Sequence, residues 1–289
     1  MTRQSAVTPI ASQGPAKGKR LRGEDVGVPV RRMDLSYDDR LPLAWFDGNE
    51  LISMFLTAFS ASLPEGESHF IHSVRLFQDR ITDPVLRAQI RAFIGQEGHH
   101  SKEHDTFNDA MRQRGVDIDT VEKRMAASVA QWKKRSAKYQ LAHTVCAEHF
   151  TALLADVLLS KHPEMLDKMS PQARTIWAWH AIEEAEHKAV AFDVYEQTVG
   201  DRKYLKRVMA WVTAEFVVKN TRSAWTLFRG TGQRRNLKKW RELFSLLRTL
   251  GGDTWADYRD FYRDDFHPWQ HDNRDAVEAA KKQYLEGAP

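Results

Sequence analysis

The chain has 289 residues, of which 42% are hydrophobic and 28% charged, the composition of a globular protein long enough to bury its own core. Its single cysteine, Cys146, excludes an internal disulfide and zinc sites built from several thiolates, and it fits a reducing cytoplasm. The net charge of +4 is unevenly placed, and no nucleic-acid partner is expected.

Residues 1–35 are predicted to form a disordered basic arm. This segment is rich in Gly, Pro, Ser and Ala, has no apolar periodicity, and lacks the apolar stretch of a signal peptide. Its basic charge leaves contact with nucleic acid or anionic lipid as the alternative to a solvated tail. Residues 36–289 are predicted to form a single helical domain.

Four long helical segments are predicted between residues 49 and 200. Their apolar residues repeat with a helical period, and Gly and Pro are sparse. Asp83-Pro84 is a typical helix start and Gly115 a typical end, whereas Pro64 is expected to break or kink the first segment. The segments run approximately over 49–78, 83–114, 119–160 and 170–200, and the third allows a break near Arg135.

A helical extension is predicted over residues 201–289. Two or three helices are expected, over about 201–229, 235–250 and 252–264, followed by an aromatic, His-rich stretch and a last short helix. The most apolar stretch, Leu205 to Phe228, is interrupted by five charged residues, so no transmembrane helix is expected. The chain is therefore predicted to be all-α.

Two short runs place carboxylates and imidazoles on one face of a helix. Glu97 and His100 are three residues apart on the second segment, and His180, Glu184 and His187 follow spacings of four and three on the fourth. Residues three or four apart on a helix are neighbours. Because charged groups among apolar residues are costly unless they are paired or bind a metal, both faces are candidate metal-binding faces.

Helical bundles that bind two metal ions through carboxylates need one Glu from each of two helices and a Glu-x-x-His from each of the other two. Four carboxylates neutralise two divalent ions, and one imidazole per ion leaves a position for water, O2 or substrate. A single Glu-x-x-His arises easily by chance, whereas the four-part pattern is specific. The chain carries the four parts in order: Glu67, Glu97-x2-His100, Glu148 and Glu184-x2-His187.

Two assignments stay open on the residues alone. Glu65 competes with Glu67 on the first segment, because Glu65, His69 and His72 also share one helix face. His104, on the face of the second segment, is a ligand, a hydrogen-bond partner of a ligand, or a buried polar residue. We favour the hydrogen-bond partner, since ligating side chains need outer partners that orient them.

These motifs resemble a bacterial family catalogued as predicted metal-dependent hydrolases, over roughly residues 40–272. The family name implies a hydrolytic activity. The resembling stretches are Leu63-Pro64-Glu65-Gly66-Glu67, Phe93-Ile94-Gly95-Gln96-Glu97 with His100 and His104, Trp179-His180-Ala181-Ile182-Glu183-Glu184 with Glu186-His187-Lys188, and Phe266-His267-Pro268-Trp269.

The ligand spacing is also similar to that of the di-iron arylamine N-oxygenases, which are ferritin-like. This resemblance implies a ferritin-like four-helix bundle as the metal-binding core (49–200), with additional C-terminal helices (201–289). Those enzymes use a further histidine one turn before the last Glu-x-x-His, which is His180 here, and the resemblance favours Glu67 over Glu65. The implied metal ligands are Glu67, Glu97, His100, Glu148, His180, Glu184 and His187.

Three functions are consistent with this pattern. The leading hypothesis is a dinuclear, di-iron carboxylate enzyme that activates O2, uses an electron donor and oxidises a small organic substrate. The first alternative is a two-metal hydrolase, with Mn or Zn, that activates a bridging water. The second alternative is a non-catalytic metal-binding protein. The C-terminal helices suit a substrate pocket or, equally, a homodimer interface.

Overall fold

The computed structural model describes residues 27–38 and 40–286, and this part of the chain is all-α, as predicted. It contains no β-strand; Phe46 and Met169 form an isolated bridge. The helices are α1 (Glu50–Ser60), α2 (Leu63–Arg75), α3 (Pro84–Gln113), α4 (Ile118–Trp132), α5 (Ala137–Asp156, continued by the π-helical turn Val157–Lys161), α6 (Glu164–Asp167), α7 (Pro171–His187), α8 (Val190–Thr198), α9 (Arg202–Phe228), α10 (Leu237–Asp260) and α11 (Arg274–Tyr284).

Several helix ends follow the local sequence signals. The side chains of Asn49, Asp83 and Ser136 accept hydrogen bonds from backbone N–H groups in the first turns of α1, α3 and α5. Gly115, with a φ of +83°, turns the chain just after α3, where any other residue would be strained. Pro64 lies in the first turn of α2, so the predicted break falls just before it.

Two boundaries differ from the prediction. The glycine pair Gly251-Gly252 does not separate two helices, because α10 continues through it to Asp260. Neither glycine adopts a positive φ. Leu247 and Leu250, which precede the glycines on α10, pack on the core and hold this part of the helix in place. The fourth predicted segment, by contrast, is divided into α7 and α8.

Buried apolar side chains form two clusters on either side of a buried polar layer. One contains Trp45, Phe107 and Trp179, and the other contains Phe93 and Phe192. Helix α3 contributes to both, and its polar residues lie between its two buried phenylalanines. The apolar clusters therefore hold the polar faces of the helices against one another.

The described part of the predicted basic arm is extended and lies against the helices. Arg31 donates hydrogen bonds to Glu183 and Glu186, and the backbone N–H of Leu35 donates to Glu103. Residues 27–35 are therefore held on the domain rather than disordered, while the rest of the predicted arm lies outside the described residues.

No described helix is both long enough and apolar enough to cross a membrane. The domain limits, the ferritin-like bundle and a homodimer stay predictions.

Candidate metal centre

The seven side chains predicted as ligands lie together between α2, α3, α5 and α7. All are buried, and the most exposed, His180, retains only 6% of its accessible surface. Glu67 comes from α2 and Glu148 from α5, and the remaining five come from the inward faces of α3 and α7. The helical spacing of the motifs therefore brings these residues to one place, while their role as ligands stays a prediction.

The nitrogen and oxygen atoms of six of these side chains form two groups. Within each group, one ligand atom per residue lies within 4.8 Å of the others. The groups are Glu67, His100 and His180, and Glu97, Glu184 and His187. Two groups of three buried side chains, each with an atom able to bind metal, are the arrangement expected for two metal ions.

Glu184 contacts both groups. Its Oε1 lies 2.9 Å from Nε2 of His180, and its Oε2 lies 3.4 Å from Nε2 of His187. Glu148 joins the second group, because its Oε2 is also 3.4 Å from Nε2 of His187. Glu97 Oε1 approaches the same nitrogen at 3.2 Å. This arrangement makes Glu184 the candidate bridging carboxylate.

The atoms that face the middle of this cluster have no hydrogen-bond partner among the described residues. Buried polar atoms are nearly always paired, so a group of atoms without protein partners marks a place suited to a cation or to solvent. They are both carboxylate oxygens of Glu97 and of Glu148, Glu67 Oε1, Glu184 Oε2, His100 Nδ1 and His187 Nε2. Carboxylate and imidazole donors of this kind fit Fe, Mn or Zn.

Two of the imidazoles are oriented by acceptors outside the cluster. Nε2 of His100 donates to Glu183 at 3.1 Å, which leaves Nδ1 facing the cluster. Nδ1 of His187 donates to the amide oxygen of Gln96 at 2.9 Å, because the Gln96 amide nitrogen is already used for bonds to Glu186 and Pro29. Such outer partners fix the tautomer and the ring position of a ligating histidine.

His104 orients the third imidazole. Ser60 donates its hydroxyl hydrogen to Asn108, so it accepts from Nδ1 of His104 at 2.8 Å. Nε2 of His104 then accepts from Nδ1 of His180 at 2.6 Å, which leaves Nε2 of His180 facing Glu184. His104 is thus a hydrogen-bond partner of His180, the alternative that we favoured from the sequence.

A network of charges behind the cluster connects it to the N-terminal segment. Arg31 contacts Glu183 at 2.9 Å and Glu186 at 2.8 Å, and Lys281 from α11 also contacts Glu186 at 2.8 Å. Glu183 accepts a hydrogen bond from His100. Glu186 accepts one from Gln96, which in turn accepts from His187. Sequence reasoning did not single out Arg31 and Gln96. Gln96 could have been identified from its spacing, because it lies one helical turn before the predicted ligand His100. Arg31 lies in an extended segment, where no helical periodicity marks it.

Replacing Arg31 by alanine is expected to weaken metal binding about 10- to 100-fold, the usual effect of losing an outer partner of a metal ligand. Without the guanidinium, Glu183 and Glu186 lose compensating charge and hold the imidazoles less firmly. Arg32→Ala, at the exposed neighbouring position, is the matched control. Titration against a competing chelator measures both affinities, and equal values would argue against the network.

Burial and mutual repulsion perturb the carboxyl groups. Burial, reinforced by neighbouring carboxylates, raises the pKa values of Glu67, Glu97 and Glu148 well above the ordinary range. Burial would also raise the pKa of Glu184, but His187 and His180 lower it well below its usual value. The metal-free cluster therefore holds protons on three carboxyls, and divalent ions would displace them.

These pKa values predict how the stability of the metal-free protein depends on pH. A folded chain that keeps protons which the unfolded chain has lost becomes less stable as pH rises. Buried histidines with lowered pKa values, such as His100, act in the opposite direction until the unfolded chain has lost its imidazole protons, about one pH unit above the ordinary pKa of 6.5. Between about pH 7.5 and 8 the three carboxyls are therefore expected to outweigh the histidines and Lys188, whose pKa is lowered to about 8. Each retained proton lowers the free energy of unfolding by about 1.4 kcal/mol per pH unit.

Urea denaturation with EDTA at both ends of this interval measures the decrease. Protein loaded with Zn²⁺ should not show it, because the bound ions replace the protons. A metal-free protein whose free energy of unfolding stays constant or increases with pH would contradict the proposed protonation of the cluster.

Comparison with known proteins identifies one family. Residues 29–272 match the model of a family described as "Predicted metal-dependent hydrolase". No curated protein and no solved structure matches the chain. The family match covers most of the chain, including every residue of the buried cluster. The chain therefore belongs to the family of predicted metal-dependent hydrolases.

Proposed function

We propose that this protein is a two-metal hydrolase that cleaves a small organic substrate with water. The observation that carries the proposal is a set of buried oxygen and nitrogen atoms that could bind metal and have no hydrogen-bond partner. They belong to Glu67, Glu97, Glu148, Glu184 and His187. The family description favours hydrolysis over the oxidation that we placed first from the sequence. Mn and Zn are the metals that suit this reaction best.

Two divalent ions held there would lower the pKa of a water molecule towards neutrality and polarise the bond to be cleaved. The chain's own residues prepare the position. Glu184 touches both groups of donors, and Glu183 and Gln96 keep the imidazole lone pairs directed inward. The ring of Phe93 packs edge-on against His187 at 4.9 Å and restricts access of solvent to that side.

A di-iron enzyme that activates O2 and oxidises a small organic substrate is the second candidate. His180 favours this candidate. Its ring lies 4.2 Å from the ring of His100, and the resemblance to arylamine N-oxygenases implies that His180 is a third imidazole ligand. An electron donor would then be required. A metal-binding protein without turnover is the remaining alternative.

Reconstitution with single metals separates these candidates. The Zn²⁺ and Mn²⁺ forms are assayed under nitrogen against ester, amide and phosphate-ester panels, and the Fe²⁺ form is exposed to O2 while visible absorption is recorded. Cleavage that depends on Zn²⁺ or Mn²⁺ and not on O2 is the expected result. Absence of cleavage, together with a transient absorption band in the Fe²⁺ form, would overturn the hydrolase proposal. Tight metal binding with neither response would contradict both enzyme candidates.

A further inference from the structure

An apolar groove lies between α9 and α10, with α1 and α5 beneath it; we call it the α9–α10 groove. Its cavity volume is about 410 Å³, within the range of small-molecule sites. Apolar side chains make up most of its walls, among them Phe55, Leu56, Phe150, Leu154 and Leu247. A cavity of this kind gives binding energy to hydrocarbon and little to a polar ligand.

Several polar side chains in these walls already use hydrogen bonds to their neighbours, and Asn220 donates to the backbone carbonyl of Phe216 at 2.8 Å. The hydroxyl of Thr213 donates to a backbone carbonyl at 2.7 Å, and that of Thr254 does the same at 2.6 Å. The hydroxyl of Tyr258 shares hydrogen bonds with Thr213 and Tyr262. These groups therefore have little capacity left for a polar ligand.

Trp177 is the exception. Its side chain lines the groove and is only 6% exposed, yet its indole Nε1–H has no hydrogen-bond partner among the described residues. Buried indole N–H groups usually find an acceptor. An occupant of the groove with an oxygen at this end would supply one.

Trp177 also connects the groove to the metal centre. Its ring packs edge-on against His104 at 5.9 Å, and His104 is hydrogen-bonded to His180. His180 is the most exposed of the seven predicted ligands. Trp177 and His104 thus link the wall of the groove to His180.

A second cavity of about 310 Å³ lies next to the groove. The two cavities share Phe59 and Phe216 in their walls. Gly66, Ala147 and Thr151 line the second cavity, and they lie within three residues of Glu67 or Glu148. The second cavity is therefore a neighbour of the groove and lies beside the helix turns that carry Glu67 and Glu148.

The outer end of the groove is bordered by exposed apolar side chains. Val217 and Trp255 both line the groove and are 57% and 58% exposed. An occupant longer than the cavity would extend over these two residues. The groove therefore has exposed apolar side chains at its border and a buried, unpaired indole N–H in its wall.

We propose that the α9–α10 groove binds a linear alkyl chain, such as the acyl chain of a fatty acid or its ester, with a head-group oxygen accepting from the Trp177 indole. The apolar walls, the buried indole N–H without a partner and the exposed apolar border all match an amphiphile with a long tail and a small head. Placement of the reacting head at the metal centre rests on the proposed function, whereas binding of the tail does not.

Fluorescence titration with cis-parinaric acid, a linear polyene fatty acid, tests the proposal on EDTA-treated full-length protein. Gly251→Trp places a large side chain at the groove, because Gly251 lines it and nothing lies within 4 Å of the position of an added Cβ. Gly252→Trp is the matched control, since Gly252 has the same open surroundings but does not line the groove. We expect Gly251→Trp to weaken binding about tenfold or more, and Gly252→Trp to leave it within about twofold.

One further variant and a displacement experiment test the inference independently of the metal centre. Trp177→Phe keeps the aromatic ring but removes the donor, so it should weaken cis-parinaric acid binding while circular dichroism stays unchanged. Displacement by hexadecanoate and not by butanoate is expected if the tail supplies the affinity. No binding by the native chain, or equal binding by both glycine variants, would overturn the inference.

The metal-free condition keeps this result separate from the proposed function. Glu184→Gln should still bind cis-parinaric acid as the native chain does, even though it lacks the candidate bridging carboxylate. Retained fatty-acid binding without metal-dependent cleavage would refute the hydrolase proposal alone. Metal-dependent cleavage without fatty-acid binding would refute the groove alone.

Discussion

Replacing Glu184 by glutamine is expected to remove both metal ions and to lower metal-dependent activity by more than about 100-fold, beyond the loss typical of an outer-partner change. One oxygen of this carboxylate lies 2.9 Å from His180 and the other 3.4 Å from His187, so it belongs to both groups of donors. Glutamine keeps the size of the side chain but not its charge. Metal analysis of dialysed protein, together with the cleavage assay, measures both effects.

Glu65→Gln is the control for this change. Glu65 was the competing candidate on the first segment, but the structure leaves it half-buried outside the cluster, whereas Glu67 is buried within it. This variant should keep both ions. A Glu184→Gln protein that retains the native metal content, with native circular dichroism, would show that Glu184 does not bridge the metals.

Replacing Trp45 by alanine is expected to destabilise the fold by about 3–5 kcal/mol, the usual cost of removing a large buried aromatic side chain. Trp45 is 1% exposed. Its ring lies 5.8 Å from that of Phe107 and 6.0 Å from that of Trp177, and its indole N–H donates to Thr57 at 3.2 Å. The change therefore leaves a cavity and an unpaired hydroxyl beside α1, α3 and α7.

Trp225→Ala provides the comparison within the same residue type. Trp225 is 59% exposed, so its removal should change the free energy of unfolding by only about 0.5 kcal/mol. Urea denaturation of the metal-free proteins measures both values. Similar losses in the two variants would mean that the packing around Trp45 does not determine the stability of this part of the core.

Local signals predicted the fold well where they depend on neighbouring residues. Asp83-Pro84 and Gly115 mark the two ends of α3 because caps and left-handed turns need particular residue types. The continuation of α10 through Gly251-Gly252 could not be predicted in the same way. A glycine in a helix costs only about 1 kcal/mol, and packing on the core outweighs that preference.

The cluster was predictable for a similar reason. Glu97 and His100, or Glu184 and His187, must share a helix face, so the spacing alone brings each pair to one side. Their outer partners depend on how separate elements pack. Arg31 reaches the α7 carboxylates from an extended segment about 150 residues away in sequence, and no pattern in the chain predicts that contact.

Sequence reasoning allowed a substrate pocket at the C-terminal helices, but it could not predict the walls of the groove. Its walls come from helices that are distant in sequence, and residues such as Leu247 and Phe55 carry only the ordinary signal of an amphipathic helix. The unpaired indole of Trp177 can be recognised only after the surrounding acceptors have been located. Polar groups that remain unpaired after folding were therefore the most informative structural observation for both proposals.

Anomalous diffraction from a metal-loaded crystal tests the central claim most directly. Two peaks are expected, one among Glu67, His100 and His180 and the other among Glu97, Glu184 and His187. Data collected on both sides of the absorption edge identify the metal. A single peak, no peak within the cluster, or peaks only elsewhere on the protein would contradict a dinuclear centre at these residues.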